Sequence, residues 1–147
     1  MVVSYDTILE EFLRKITEYK FLALPRSTRE ELVKGYMKDA VMAFSVTCRE
    51  PVAEWNDTDG TLRMENDIDE TEFVDIISDG MVYYWFKPLM YKQDILELSL
   101  NTVDFSSYSP AELLKQVRAA YDQCKNYFTA RMRDYTYDHG DLTDLYI

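Results

Sequence analysis

Pairs of acidic residues are the first candidates for chemistry in this sequence. Two carboxylates held close together can share a proton or bind a divalent cation, as many hydrolases and nucleases require. Three closely spaced pairs occur, namely Asp57 with Asp59, Asp67 with Asp69, and Asp138 with Asp141. The chain has 27 acidic residues, so such pairs arise by chance, and surface acid is the favoured interpretation of all three.

Patterns typical of catalytic nucleophiles and metal ligands give even less evidence of a site than the acidic pairs do. Cys48 and Cys124 lie far apart in the sequence, and His139 is the only histidine. A cysteine nucleophile would have no local base, and a zinc site would have no second histidine. The sequence also contains no phosphate-binding glycine loop and no serine elbow of the hydrolase type. We therefore predict a protein that is not an enzyme and that uses no metal or cofactor.

Negative charge is concentrated in one part of the chain. The net charge is −11 over 147 residues, and residues 54–79 contain ten acids but only one base, Arg63. A chain with this negative charge repels nucleic acid and does not bind it. If it meets DNA, it does so as a passive wall or as a mimic of DNA. The alternative is that this acidic block is a solvated loop and helix start.

Four helices are predicted around these groups. Apolar residues recur every three or four positions over residues 5–23, 28–48, 69–88 and 110–135. A capping residue stands near the start of each segment, as in the Ser109–Pro110–Ala111–Glu112 box before the last one. Pro88 is expected to end or kink the third helix. A short fifth helix is expected at 93–100, followed by a loop.

The segment from about 51 to 67 interrupts the helical pattern. Residues Asn56 to Gly60 form a turn signal between two short stretches, Val52–Trp55 and Thr61–Met64. A small β-hairpin or an extended excursion is predicted there. The fold class is therefore mainly α: a bundle of about four helices in residues 1–134, with this excursion and an extended C-terminal arm at 135–147.

Aromatic and apolar residues in two places are candidates for burial against another subunit. The string from Met81 to Tyr91 has too many aromatic residues for one helix face, and the last 13 residues are rich in Tyr and Leu, unlike a disordered tail. Packing within the chain's own domain is the alternative for both. The residues assigned to a subunit or partner interface are Tyr83, Trp85, Phe86, Tyr91, Tyr135, Tyr137, Leu142, Leu145, Tyr146 and Ile147.

No segment is apolar enough to predict a membrane span, since the longest apolar run is only Met81–Phe86. The first residues, MVVSYDTILEEF, lack the basic region of a signal peptide. We therefore expect a soluble protein that is made in a cytoplasm.

The segment from Thr71 to Ile147 resembles small structural proteins of tailed bacteriophages that infect Gram-positive hosts. The stretches that carry the resemblance are ISDGMVYYWFKPLMY, LNTVDFSSYSPAELL and RDYTYDHGDLTDLYI. The mostly helical plan, with a mid-chain excursion and a C-terminal arm, is similar to the head–tail connector, or neck adaptor, family.

The resemblance implies a role in the virion neck. Such adaptors form a homo-oligomeric ring, here expected to be twelvefold, under the portal protein, and they join it to further neck or tail proteins. DNA would pass through the ring without specific binding. The acidic residues assigned to the channel are Asp57, Asp59, Glu65 and Asp67, and the arm would lie on the portal.

The alternative function is that of a small acidic inhibitor, a DNA mimic of the anti-restriction or anti-CRISPR type. The acidic block supports this alternative. Against it, a mimic needs charges at phosphate-like spacing along a long face, whereas the acids here are concentrated in one segment.

Overall fold

The fold is a helical bundle with a small antiparallel sheet. The computed structural model describes residues 1–17, 30–91 and 110–139. In chain order the elements are β1 (Val2–Ser4), α1 (Tyr5–Ile16), α2 (Glu30–Cys48), β2 (Val52–Asn56), β3 (Thr61–Met64), α3 (Glu70–Tyr91) and α4 (Pro110–His139). The prediction of a mainly α chain with four helices and a mid-chain hairpin is confirmed.

Local sequence signals account for where the helices begin. The Ser4 hydroxyl accepts a hydrogen bond from the Asp6 backbone N–H at 3.3 Å, which caps α1. The Phe73 backbone N–H donates to the Asp69 carbonyl oxygen at 2.9 Å, so α3 starts at the predicted place. Helix α4 begins at Pro110, where a missing N–H costs nothing.

The sheet has three strands rather than the two of a hairpin. Its order is β1-β3-β2, and both pairings are antiparallel, so β3 lies in the centre. Leu62 of β3 is opposite Val3 on one side and Trp55 on the other. The turn from β2 to β3 uses Gly60 at a φ of 67°, a left-handed conformation that favours glycine. Strand β1 was not predicted.

Helix α3 lies in the middle of the bundle and packs against the other three helices. At the junction of α2, α3 and α4, the Phe44 ring centroid lies 5.4 Å from that of Phe73 and 5.0 Å from that of Tyr135. All three side chains are buried. This aromatic junction therefore fixes three helices at one point.

Helix α3 includes Pro88 and continues to Tyr91, so Pro88 does not end the helix, and whether it kinks the helix stays a prediction. One predicted boundary is wrong. Helix α4 continues to His139, so residues 135–139 belong to the helical domain and not to an extended arm. The rest of the predicted arm, 140–147, and the short helix predicted at 93–100 lie outside the described residues.

Gly80 lets α3 and α4 approach closely, so Gly80→Ala is expected to destabilise the protein. A Cβ at this position would lie 2.5 Å from Cζ of the buried Phe128 ring, so the ring would have to move. We expect the free energy of unfolding to fall by about 1–3 kcal/mol, measured by urea denaturation.

Gly35→Ala is the matched control, because a Cβ there would meet nothing within 4 Å. The better helix propensity of alanine should raise the free energy of unfolding by up to about 1 kcal/mol. Equal effects of the two substitutions would contradict the close approach at Gly80.

Candidate interaction surface

Two of the residues predicted at a subunit interface are instead part of the chain's own core. Trp85 and Phe86 are buried, and the Trp85 ring meets Phe12 of α1 edge-on at 6.4 Å between centroids. Helix α3 has a helix neighbour on several sides, so these large side chains are covered without a second subunit. Their assignment to an interface is therefore corrected.

Tyr83 is half-buried and packs against α4. Its ring centroid lies 5.4 Å from that of Tyr121 and 6.5 Å from that of Phe128. It therefore offers a partner only part of its surface. Tyr91, also assigned to the interface, is the last residue of α3.

Tyr135 is also a core residue, whereas Tyr137 is free for contact. The Tyr135 hydroxyl donates a hydrogen bond to Glu50 Oε1 at 3.0 Å, and burial together with this bond raises its pKa. The Tyr137 side chain is 75% exposed. The remaining interface candidates, Leu142, Leu145, Tyr146 and Ile147, lie outside the described residues.

The four acids assigned to the channel are all exposed and lie in or next to the hairpin. Asp57 accepts a hydrogen bond from the Tyr5 hydroxyl at 2.8 Å and lies 3.6 Å from Lys38 Nζ. Asp59 accepts a hydrogen bond from the Asn56 side-chain amide at 2.9 Å, within the turn. With Glu65 and Asp67, these residues make the outer part of the hairpin acidic.

The Tyr5–Asp57 contact leads to an expected loss of stability at high pH. Burial, and then the hydrogen bond to Asp57, raises the pKa of Tyr5 from 10.0 to about 12. Below pH 10 the protonated Tyr5 hydroxyl contributes its full stabilisation. This contribution is lost as the pH rises from 10 through the folded-state pKa of Tyr5, because Tyr5 loses its proton at a lower pH in the unfolded chain than in the folded one.

Tyr5→Phe should therefore lose less stability than the wild type between about pH 9 and about pH 11, measured by urea denaturation. Tyr137→Phe is the matched control, since that side chain is exposed, and it should behave as the wild type does. Identical pH profiles for Tyr5→Phe and Tyr137→Phe would rule out the contribution of Tyr5.

Two further acids of the block are neutralised inside the bundle. Asp75 and Asp79 of α3 lie between Lys15 of α1 and Arg131 of α4; we call these four residues the charged cluster. Lys15 Nζ lies 2.7 Å from Asp75 Oδ1 and 2.8 Å from Asp79 Oδ1. The Arg131 guanidinium lies 2.8 Å from Asp75 Oδ2 and 3.4 Å from Asp79 Oδ2.

The two carboxyl groups of the charged cluster differ in environment. Burial dominates at Asp79 and raises its pKa, although Lys15 acts in the opposite direction. Burial also acts to raise the pKa of Asp75, but hydrogen bonds from Lys15 and Arg131 outweigh it and lower the pKa. With two acids and two bases, the cluster holds no net charge, and its evident role is to join α1, α3 and α4.

The described part of the chain shows no metal-binding cluster. In residues 1–17, 30–91 and 110–139, no group of three His, Cys, Asp or Glu side chains could hold a metal ion. Both cysteines are buried thiols, and burial raises the pKa of the Cys48 thiol, which makes it less reactive. His139 Nε2 lies 3.4 Å from a carboxylate oxygen of Glu72.

An open apolar groove between α2 and α3 is the most distinctive surface feature. Its volume is about 720 Å³, and we call it the α2–α3 groove. Side chains that line it are Tyr36, Asp39, Ala43, Val46, Tyr84 and Pro88. Val46 is 76% exposed and Met42, also at the groove, is 48% exposed, so the groove opens onto an uncovered apolar stretch of α2.

The α2–α3 groove carries one acid and one base. Asp39 lies on the α2 wall and Lys87 on the α3 wall, and neither is in an ion pair with another described residue. Burial raises the pKa of Tyr36 and of Tyr84, and the negative charge of Asp39 raises both further. Asp39 therefore acts electrostatically on both tyrosines of the groove.

The sequence pattern over residues 28–48 did not reveal this surface, because helical spacing places Leu32, Val33, Tyr36, Met37, Ala40, Val41 and Phe44 in one apolar stripe. Val33, Met37 and Phe44 do face the core, but Leu32 is 51% exposed and Tyr36 only half-buried. The available signal was the width of the apolar face, which exceeds what one core contact needs.

No family model matches the chain, and neither the curated proteins nor the solved structures contain a match to it. None of the helices in the described ranges combines the length and the apolar character that a membrane span requires.

Proposed function

We propose that this chain is a structural subunit that acts by binding other proteins. The observation that carries the proposal is the α2–α3 groove, with its uncovered apolar residues Met42 and Val46. Large exposed apolar patches with a polar rim are uncommon on monomers and are typical of protein interfaces. The aromatic residues Tyr36 and Tyr84 at its wall are of a type enriched at such interfaces.

The finer role that we propose is that of a head–tail connector in the neck of a tailed bacteriophage. Support comes from the resemblance of residues 71–147 to phage structural proteins. The exposed acids of the hairpin add support, because a negative surface facing a DNA channel would keep the DNA from sticking. In this role the chain forms a ring, which we expect to be twelvefold, on the portal protein within the virion.

The inhibitor alternative has less support from the geometry. A DNA mimic needs its carboxylates free on one face, but Asp75 and Asp79 are in ion pairs with Lys15 and Arg131. Asp57 is also paired, with Lys38. The acidic block therefore presents fewer free charges than its ten acids indicate.

Quantitative mass spectrometry of purified phage particles tests the finer role. We expect the chain at a low, fixed copy number relative to the capsid protein, in particles from cells that make it. Cross-links within those particles should join it to the portal protein. Absence from particles, together with abundance in infected cells, would contradict the neck role and favour the inhibitor.

A further inference from the structure

The exposed face of α2 has the spacing of a helix–helix contact. Leu32, Tyr36, Asp39, Ala43 and Val46 are separated by four, three, four and three residues, which is the heptad spacing of a coiled-coil seam. This seam is distinct from the core-facing residues of α2, such as Val33 and Phe44. Helix α2 thus has two contact faces, and among the residues that the structure describes only one of these faces is buried against the core.

The shape of the α2–α3 groove fits a third helix. Two antiparallel helices form its walls, and a helix laid along such a groove packs its ridges against both. Ala43, the fourth of the five seam residues, is small and half-buried, which lets another helix approach closely. From Leu32 to Val46 the seam is about 21 Å long, which corresponds to about 14 residues of a partner helix.

The charges in the groove specify the chemistry of that helix. Asp39 interrupts the apolar seam and has no ion-pair partner among the described residues, and Lys87 stands on the opposite wall. A bound apolar helix would take Asp39 out of water, and since Lys87 forms no ion pair with it, this burial is costly. A basic residue opposite Asp39 removes this cost, and the net charge of −11 attracts a basic partner over long range.

A second copy of this chain fits the groove poorly. If two α2 helices pair in antiparallel fashion about the middle of the seam, the two Asp39 carboxylates come together, because Asp39 is the central residue of the five. Like charges placed opposite each other at an interface disfavour that pairing.

We propose that the α2–α3 groove binds an amphipathic helix of another protein, about 14 residues long, whose apolar stripe is interrupted by a Lys or Arg opposite Asp39. The proposal deepens the proposed function and rests on it, since it names the kind of partner that the structural subunit binds. Ala43 and Val46 in the groove, together with Leu32 further along the seam, supply the apolar contacts, and Asp39 sets the charge of the partner.

A photo-crosslinking amino acid at position 46 of the full chain, in the cells that make it, tests the proposal. Position 46 belongs to the seam and its side chain is exposed, so a bound helix would contact the probe there. The control is the same probe in place of Tyr137, which is exposed on α4. We expect a cross-linked product from position 46, and its cross-linked peptide should come from one partner protein. That peptide should have apolar residues at helical spacing and a Lys or Arg within one helical turn of them. No product at 46, or a cross-linked segment without apolar helical spacing or without a base, overturns the proposal.

Charge reversal tests the role of Asp39. Asp39→Lys should reduce the yield of the cross-linked product at position 46 at least about tenfold, since it places a base against a base. Asp122→Lys reverses an exposed acid on α4 with the same change in net charge and should leave the yield unchanged. Equal yields in the two variants, with folding confirmed by circular dichroism, overturn the assigned charge.

Sedimentation of the purified chain tests the second-copy alternative. We expect no self-association through the groove, and self-association that Val46→Glu abolishes would overturn the proposal.

The two proposals can fail separately. A chain present in particles but without a product at 46 would retain the neck role and lose the groove inference. A chain absent from particles that still gives a basic helical product would retain the groove inference and lose the neck role.

Discussion

Phe44→Ala is expected to lower the free energy of unfolding by about 3–5 kcal/mol. The Phe44 side chain is fully buried, and its ring contacts Phe73 and Tyr135 at the aromatic junction. Alanine removes apolar surface from the core and leaves a cavity that three helices line, so the site can collapse only partially. Urea denaturation followed by circular dichroism measures the loss.

Two controls accompany this variant. Phe44→Leu keeps much of the apolar volume and should lose clearly less stability. Val46→Ala, two residues along α2 at a side chain that is 76% exposed, should change the free energy of unfolding by no more than about 0.5 kcal/mol. A loss for Phe44→Ala no greater than that for Val46→Ala would contradict the central position of the junction.

Lys15→Met is expected to lower the free energy of unfolding by about 2–3 kcal/mol. Methionine keeps the length of the side chain but removes the ammonium group, which leaves Asp75 and Asp79 with Arg131 as the one remaining base of the charged cluster. Removing one partner of a fully buried ion pair costs about 3–5 kcal/mol. The effect should be smaller here because the Asp75 side chain is 41% exposed and water can replace part of the interaction.

Lys125→Met is the matched control, because Lys125 is an exposed lysine on α4, and the change there should be within about 0.5 kcal/mol. Adding Asp79→Asn to Lys15→Met should recover part of the lost stability, since it removes an acid that has lost the nearer of its two basic partners. If the double variant is no more stable than Lys15→Met alone, the loss does not come from an uncompensated carboxylate.

Structural features that depend on residues adjacent in the sequence could be predicted from the sequence. The hairpin follows from the turn signal at 56–60, which β2 and β3 flank, and α1 begins at the capping residue Ser4. Strand β1 could not be predicted in this way. It has only three residues, and its partner β3 lies about 60 positions further along the chain, so no local pattern marks it.

The location of the aromatic residues was predicted less well, for a related reason. Helical spacing shows that the face of α3 is wide, but it does not show what covers that face. Phe12 of α1 and Phe128 of α4 cover Trp85 and Tyr83, so the chain itself uses surface that had been assigned to a partner. The α2 seam shows the converse, because Leu32 of the predicted apolar stripe is 51% exposed and Tyr36 is only half-buried.

The acidic block illustrates the same limit for charge. The count of acids along the sequence predicts a negative surface over the whole segment. The side chains of Asp57, Asp59, Glu65 and Asp67 are exposed, as this prediction requires. Asp75 and Asp79, however, meet Lys15 from 60 positions before and Arg131 from more than 50 positions after. Ion pairs over such separations depend on the packing of three helices and have no local sequence signal.

The position of β1 in the sheet also has a consequence for synthesis of the chain. Val3 pairs with Leu62, and the Tyr5 backbone N–H donates to the Gly60 carbonyl oxygen at 2.8 Å. A ribosome that adds about 5–20 residues per second needs roughly 3–12 s between these two points. During that interval β1 is an unpaired strand and the apolar face of α1 has no core to pack against. The segment of β1 and α1 is therefore synthesised well before its partner strand and docks late, so it needs protection from aggregation during that interval.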